Sequence, residues 1–159
     1  MTGYAHAMAR RMRRLAVLAL CASIAPSAVS AVDISLETVW MRPAAAGATA
    51  KVYVDIMSDT ALVLTRASSP AATNVQIIVV ERTGGDEGAP VTSFPVAANS
   101  ATRFAYLGNH LRFVDVKAPL ANGGAAPLTL EFRDGQGIIY VAFARVEVRG
   151  LLAPVVTPR

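Results

Sequence analysis

The stretch Leu128-Thr-Leu-Glu-Phe-Arg-Asp-Gly135, with the segment from Ile138 to Arg149 that follows it, decides the fold. Apolar and polar residues alternate in the first stretch, and the same period of two returns over the last residues of the second. This alternation is typical of β-strands with one buried face. Because Asp134 and Gly135 stand between the two runs, the sequence predicts a β-hairpin that turns at this pair.

The rest of the chain repeats this pattern of short strands separated by turn residues. The run from Val75 to Val80 is almost entirely apolar and β-branched, which indicates a strand buried on both faces. No segment after the first thirty residues shows a sustained apolar stripe of helical period. Eight or nine short strands predict an all-β fold, an antiparallel β-sandwich or barrel. The other predicted strands are Ile34 to Met41, Ala50 to Met57, Ala61 to Ala67, Val75 to Glu81, Val91 to Val96, Thr102 to Tyr106 and His110 to Lys117.

The first thirty-one residues have the order of a secretory signal peptide. A cluster of four arginines between Arg10 and Arg14 precedes an apolar run that ends at Ile24, and small residues lead to Ala31. The run is shorter than the roughly 20 residues that a membrane-spanning helix needs, so we expect no permanent membrane span. We expect a signal peptide (1–31), a β-sandwich domain (32–149) and a flexible C-terminal tail (150–159), and a periplasmic location in a bacterium.

Two other interpretations of this leader exist. The paired arginines also fit a twin-arginine signal, but no bulky apolar residue follows them at the expected place. Cys21 could carry a lipid, but Leu20 precedes it where a small residue is wanted. Ordinary secretion, with Cys21 as a discarded apolar residue, is therefore the favoured hypothesis.

The mature chain is formally neutral and has no cysteine. The full chain carries a net charge of +4, and the four leader arginines account for all of it. A basic surface for nucleic acid therefore has no support. Without cysteine there is no disulfide, so the stability of the domain must come from packing.

Catalytic patterns are absent from the mature sequence, which predicts that the protein is not an enzyme. His110 is its one histidine, and no Gly-x-Ser-x-Gly elbow accompanies it. Asp86 and Glu87 lie in a glycine-rich stretch that is typical of a solvated hairpin tip. The same stretch offers too few oxygen ligands for calcium, and no catalytic residue is predicted.

Four segments resemble the periplasmic copper chaperones called PCuAC, the DUF461 group. Val39-Trp-Met-Arg-Pro43 resembles the opening strand of that family, and Ala50-Lys-Val-Tyr-Val-Asp-Ile56 resembles its second strand. Residues 60–72 resemble its ASSPAA stretch, and residues 108–132 resemble its segment that begins with a His-Leu pair and ends in PLTL. The resemblance runs from about residue 33 to about residue 148. It implies a single domain with the cupredoxin-like Greek-key antiparallel β-sandwich.

The family binds copper through one His, one Met and a later His-x-Met pair, which are soft ligands that suit Cu(I). In this chain the first His position falls at about Ile78 and the first Met position near Ala89, while the final pair becomes His110 and Arg112. Isoleucine has no donor atom, and a guanidinium is always protonated. His110 is therefore the only retained family ligand. We expect it to be either a relict copper ligand or a half-buried histidine hydrogen-bonded to the backbone.

The two methionines of the mature chain, Met41 and Met57, are expected in the core or at its rim rather than as ligands. The resemblance implies a carrier that hands copper to an assembling cytochrome oxidase, with another exported copper-handling or oxidase-assembly protein as partner. The missing ligands favour an alternative, a metal-free protein-interaction or assembly module on the same fold. Copper is the only cofactor that the resemblance implies.

Overall fold

A computed structural model describes residues 31–81 and 87–150, and these residues form ten β-strands. Among them, no helix is long and apolar enough to cross a bilayer. The predicted signal peptide with Cys21, the residue Asp86 and the tail from residue 151 lie outside the described residues. The strands are β1 (Ile34–Met41), β2 (Ala50–Ser58), β3 (Leu62–Ser68), β4 (Ala72–Val79), β5 (Ala89–Val91), β6 (Phe94–Val96), β7 (Thr102–Phe104), β8 (His110–Val116), β9 (Ala125–Arg133) and β10 (Ile139–Val148).

The strands form one continuous sheet in the order β5-β4-β8-β2-β1-β10-β9-β3-β6, and β7 pairs with β2 beside β8. β3 and β4 also contact each other although they are far apart in this order, so the sheet curls around its own inner face. All pairs are antiparallel except β1 with β10. The predicted all-β single domain is therefore confirmed, and the parallel pair is an addition to it.

Most predicted strands agree with the structure to within a few residues, and the main difference lies at Val91 to Val96. The sequence predicted one strand there, whereas the structure has two short ones, β5 and β6. β5 pairs with β4 and β6 pairs with β3, so the chain must cross between opposite edges of the sheet. Residues 92 and 93 make that crossing.

The inner face of the curled sheet holds one large apolar core to which nearly every strand contributes. Besides Ser58, the buried residues Tyr53, Ile78 and His110 do not belong to that core. Since neighbours along a strand point to opposite faces, these three residues lie on the outer face of β2, β4 and β8. The largest fully buried side chains of the core include Phe104, Phe113, Phe132, Met41, Ile56, Leu64, Leu111, Leu128 and Leu130.

The predicted hairpin at Asp134 is present, but its loop has five residues, because Arg133 pairs with Ile139. The Asp134 carboxylate organises this loop. Its Oδ1 accepts hydrogen bonds from the backbone N–H groups of Gln136 and Ile138, at 2.9 Å each. Its Oδ2 accepts a hydrogen bond from the Tyr140 hydroxyl at 3.0 Å.

We predict that this carboxylate makes the hairpin sensitive to acid. Desolvation raises the pKa of Asp134, but the hydrogen bonds from the loop and from Tyr140 outweigh it, and the net pKa lies below the usual 3.8. A depressed pKa contributes stability that is present above pH 3.8 and is lost as the pH falls through the folded-state value. The free-energy difference between wild type and Asp134→Ala should therefore shrink between about pH 5 and pH 2 in urea unfolding. A constant difference would contradict the prediction.

Candidate functional site

The outer face of β4, β8 and β2 carries the residue types that the sequence singled out. His110 lies opposite Ile78 on β4, and Arg112 lies opposite Gln76 on β4 and opposite Lys51 on β2. His110 and Arg112 are two apart on one strand, so they share a face, while Leu111 between them belongs to the core. The structure therefore brings together three of the four positions at which the resemblance placed ligands.

The fourth position, Ala89, does not share that face. Ala89 pairs with Val79 on β4, whereas Ile78 pairs with Pro90. Side chains of directly paired residues lie on the same side of a sheet, so Ala89 and Ile78 point in opposite directions. Spacing alone does not fix the register of a short edge strand, so the sequence could not show on which face Ala89 lies.

His110 is only 2% exposed. Its Nδ1 lies 2.9 Å from the carbonyl oxygen of Gly108. A carbonyl only accepts, so Nδ1 carries the proton and Nε2 keeps its lone pair. Among the described residues Nε2 is buried without a hydrogen-bond partner. His110 is thus hydrogen-bonded to the backbone and fully buried rather than half-buried, and this bond does not exclude copper, since Nε2 keeps its lone pair.

Burial is the main reason that the pKa of His110 is lowered. The hydrogen bond to Gly108 acts against it, Lys51 and Arg112 lower the pKa further, and Glu87 opposes them. The imidazole is therefore neutral at pH 7, which is the form that can bind a metal ion.

An ionic network lies beside the histidine. Arg112 Nη2 donates a hydrogen bond to the Glu87 carbonyl oxygen at 2.8 Å and lies 3.8 Å from a carboxylate oxygen of the same residue. Lys51 Nζ lies 3.8 Å from the other carboxylate oxygen. Two cations thus share one carboxylate, and the local charge is positive. This network was not predicted, since it joins residues that are 25 or more positions apart in the chain.

Gly88 fixes the segment that carries Glu87 against β4. Its φ is +73°, and a Cβ at this position would lie 2.6 Å from both Cγ2 of Ile78 and the carbonyl oxygen of Val79. Only glycine allows this approach. Gly88 therefore closes the outer face over Ile78, and it sets the position from which Glu87 reaches Arg112 and Lys51.

We predict that Gly88→Ala destabilises the domain more than Gly47→Ala does. Gly47 has nearly the same φ, +76°, but nothing lies within 4 Å of an added Cβ, so the pair isolates the steric contribution. Gly47→Ala should cost about 1 kcal/mol for the left-handed backbone alone, and Gly88→Ala about 1–3 kcal/mol more. Urea unfolding of both variants measures the difference. Equal losses would show that the contact at Gly88 relaxes freely.

An aromatic cluster continues the outer face beyond His110. The rings of Trp40 and Tyr53 lie 4.6 Å apart, and those of Tyr53 and Tyr106 lie 6.1 Å apart, edge to face. The Arg42 guanidinium sits 4.7 Å from the centre of the Tyr106 ring. Burial raises the pKa of Tyr53, with Arg42 opposing, so the phenol stays protonated at neutral pH. Tyr53 was predicted only as a strand residue, and no sequence signal marked the cluster.

The side chains present do not fit a complete copper site. Met41 is fully buried in the main core. Met57 lies opposite Ser35, about 13 Å along β2 from Tyr53. In the described part of the chain, no group of three or more His, Cys, Asp or Glu residues could hold a metal. The cations of Lys51 and Arg112 would also repel a bound cation. Of the four family ligand positions, Ile78, Ala89, His110 and Arg112, only His110 carries a side chain that can bind Cu(I).

Comparison with known proteins identifies the family. Residues 34–142 match the family model described as "Putative lipoprotein LpqE-like". The chain belongs to the LpqE-like family. No curated protein matches the chain.

Solved structures share the fold of this LpqE-like chain. The copper-bound PCuAC domain from PmoF2 is 24% identical, with a TM-score of 0.59, and the match covers 75% of this chain and 95% of that one. The solution structure of CuI-DR1885 from Deinococcus radiodurans is 21% identical, with a TM-score of 0.54, over 72% of this chain and 78% of that one. The expected PCuAC-type fold is therefore confirmed.

Proposed function

We propose that this protein is an exported copper-trafficking protein that contributes His110 as one ligand to a Cu(I) ion shared with a partner. The proposal draws on its fold, which the copper-bound PCuAC domain from PmoF2 and CuI-DR1885 share. The partner is another exported copper-handling or oxidase-assembly protein, and the copper is destined for cytochrome oxidase. The periplasm is the proposed compartment, and the lipoprotein description of the family keeps an anchor at Cys21 as the second possibility.

The free lone pair on His110 Nε2 carries this proposal. A buried acceptor without a partner is costly, so a site of this kind is stabilised when a donor or a metal ion satisfies it. The hydrogen bond from Nδ1 to the Gly108 carbonyl fixes the tautomer and leaves Nε2 unprotonated. A metal-binding histidine usually donates its other ring N–H to a carbonyl or carboxylate oxygen in this way.

The ion pairs of Glu87 give a partner a place to dock beside His110. Its side chain is largely exposed, although it covers the cations of Lys51 and Arg112. Exposed ion pairs are weak, so an acidic group of a partner can take over these cations when it docks. The partner then supplies the soft thioether or thiolate ligands that the described residues do not place beside His110.

The test is a Cu(I) competition titration of the exported protein against a chromophoric Cu(I) chelator. We expect weak binding of one equivalent, and His110→Ala should lower the affinity at least about tenfold, the smallest loss seen when a metal site loses even an outer-shell group. Met57→Leu is the matched control and should bind as wild type does. No transfer of copper to the wild type would contradict the proposal.

A metal-free interaction module on the same fold is the second candidate function. The ion network of Lys51, Glu87 and Arg112 favours this second function. The network places charged side chains at and beside a family ligand position, and such charges suit a protein contact. This candidate expects no Cu(I) uptake by either wild type or His110→Ala. The same titration therefore separates the two functions.

A further inference from the structure

β1 and β10 separate over most of their length. These parallel strands pair only at Trp40 with Glu147 and at Met41 with Val148. The cause lies in β1, where the register against β2 shifts between Glu37 and Trp40. Thr38 within this shift has a φ of +50°, an unusual conformation for a β-branched residue. The first half of β1 therefore bends away from β10.

A groove of about 780 Å³ lies between the separated strands. Ile34, Leu36 and Val39 line the β1 side, and Ala142 and Ala144 line the β10 side. The two alanines are partly buried and their methyl groups are short, so they leave room above the core. The groove thus has an apolar floor with space for larger side chains.

The edge of β10 along this groove has no strand beside it in the described structure. β9 pairs with β10 from Ile139 to Glu147 on the other side, but β1 reaches it only at the last two positions. Proteins usually protect such an edge with charges, prolines or a covering segment. Here Ile139, Val141 and Phe143 are exposed instead, with Phe143 at 76%.

We infer that this groove binds an extended segment of a partner polypeptide, which adds as a β-strand between β10 and β1. Because β1 and β10 are parallel, a strand that is antiparallel to one is antiparallel to both, the more stable arrangement. The backbone of the segment forms the hydrogen bonds, and its alternate side chains fill the space above Ala142 and Ala144.

The charges at the two ends of the groove specify the segment further. Arg145 lies at the end near Trp40, and Asp33 lies at the opposite end. An antiparallel segment begins beside Arg145 and ends beside Asp33. Its chemistry is therefore an acidic residue at the amino end, alternating β-branched apolar residues, and a basic residue at the carboxyl end.

A second copy of this chain is a poor occupant. One edge of the β10 strand in the second copy already pairs with β9. Only its other edge, about 23 Å long, could pair with this groove. Such a contact buries about 230 Å² per partner if the sheet is about 10 Å thick. A stable dimer needs roughly 800 Å² per partner. A single free strand, by contrast, can pair with both walls of the groove.

The test is fluorescence polarisation of the labelled peptide acetyl-EVTVTVK-amide with the full exported protein. We expect saturable binding, at least about tenfold weaker for a peptide with proline at its centre, which lacks a backbone donor. The charge-reversed peptide KVTVTVE should also bind more weakly. In the protein, Ala142→Leu fills the bottom of the groove, and Phe143→Glu places a charge beside it, so both should weaken peptide binding. Val63→Glu on β3 is the control and should not change it.

The other outcomes overturn the inference. Equal binding of all peptides would mean an unspecific apolar contact. Self-association that Phe143→Glu abolishes, seen by sedimentation equilibrium without peptide binding, would make the occupant a second copy. Peptide binding only after removal of residues 151–159 would make the occupant the chain itself. Phe143 is highly exposed, so Phe143→Glu keeps the fold and remains informative if Ala142→Leu does not.

Discussion

The double variant Ile78→His with Arg112→Met is expected to bind Cu(I) far more tightly than wild type. His110 lies directly opposite Ile78, and Arg112 shares its face two residues on. The two substitutions therefore add an imidazole and a thioether around the free Nε2 of His110. Three soft or borderline donors on one face make a Cu(I) site where wild type has one donor.

The expected gain exceeds about 100-fold in affinity, since loss of an outer-shell group alone already costs 10–100-fold. Two effects contribute to this gain in Cu(I) affinity. Arg112→Met removes a fixed cation that repels Cu(I), and it adds a ligand in the same position. Ile78→His places a polar ring in a fully buried position, so some stability is lost, and urea unfolding should accompany each titration.

Two controls make the result interpretable. Arg112→Leu removes the cation without adding a ligand, and it should give only a small gain. The double variant with His110→Ala should lose most of the gained affinity, because the central donor is gone. If the double variant bound no more tightly than Arg112→Leu, the three positions would not form a site, and the relation to copper-binding PCuAC domains would end at the fold.

The fold was largely predictable because the period-two pattern is strong in nearly every strand. The pattern indicates which residues are buried, but it does not show which strands pair with each other. It therefore placed Val91 to Val96 in one strand, although its halves pair with β4 and β3 on opposite edges. For the same reason the parallel pairing of β1 with β10 was not predicted, since it depends on how the whole sheet closes.

The candidate site was predictable only in part. The resemblance singled out His110 and Arg112, and the structure shows that they share one face of β8. The tie of Glu87 to Arg112 and Lys51 depends on the close approach of Gly88 to β4, which no short-range pattern reveals. The role of Ala89 depended on the register of a three-residue edge strand, where a shift of one residue reverses every side chain.

Phe113→Ala is expected to remove much of the stability of the domain. Phe113 is fully buried in the core, on the inner face of the strand that carries His110 and Arg112 outside. Truncation of a buried phenylalanine costs about 3–5 kcal/mol, through lost burial and the cavity left behind. A domain of this size has about 5–15 kcal/mol in total. Cys21 is the only cysteine of the chain, so no disulfide within the chain limits the loss.

Phe143→Ala is the matched control, because it makes the same chemical change at a side chain that is 76% exposed. Surface substitutions of this kind change stability by about 0.5 kcal/mol or less. Urea unfolding followed by tryptophan fluorescence suits both variants, since Trp40 is the only tryptophan and packs on Tyr53. A loss at Phe113 no larger than at Phe143 would mean that the inner face of β8 is not the core. The outer-face geometry of His110 would then lose its support as well, because both faces depend on one register.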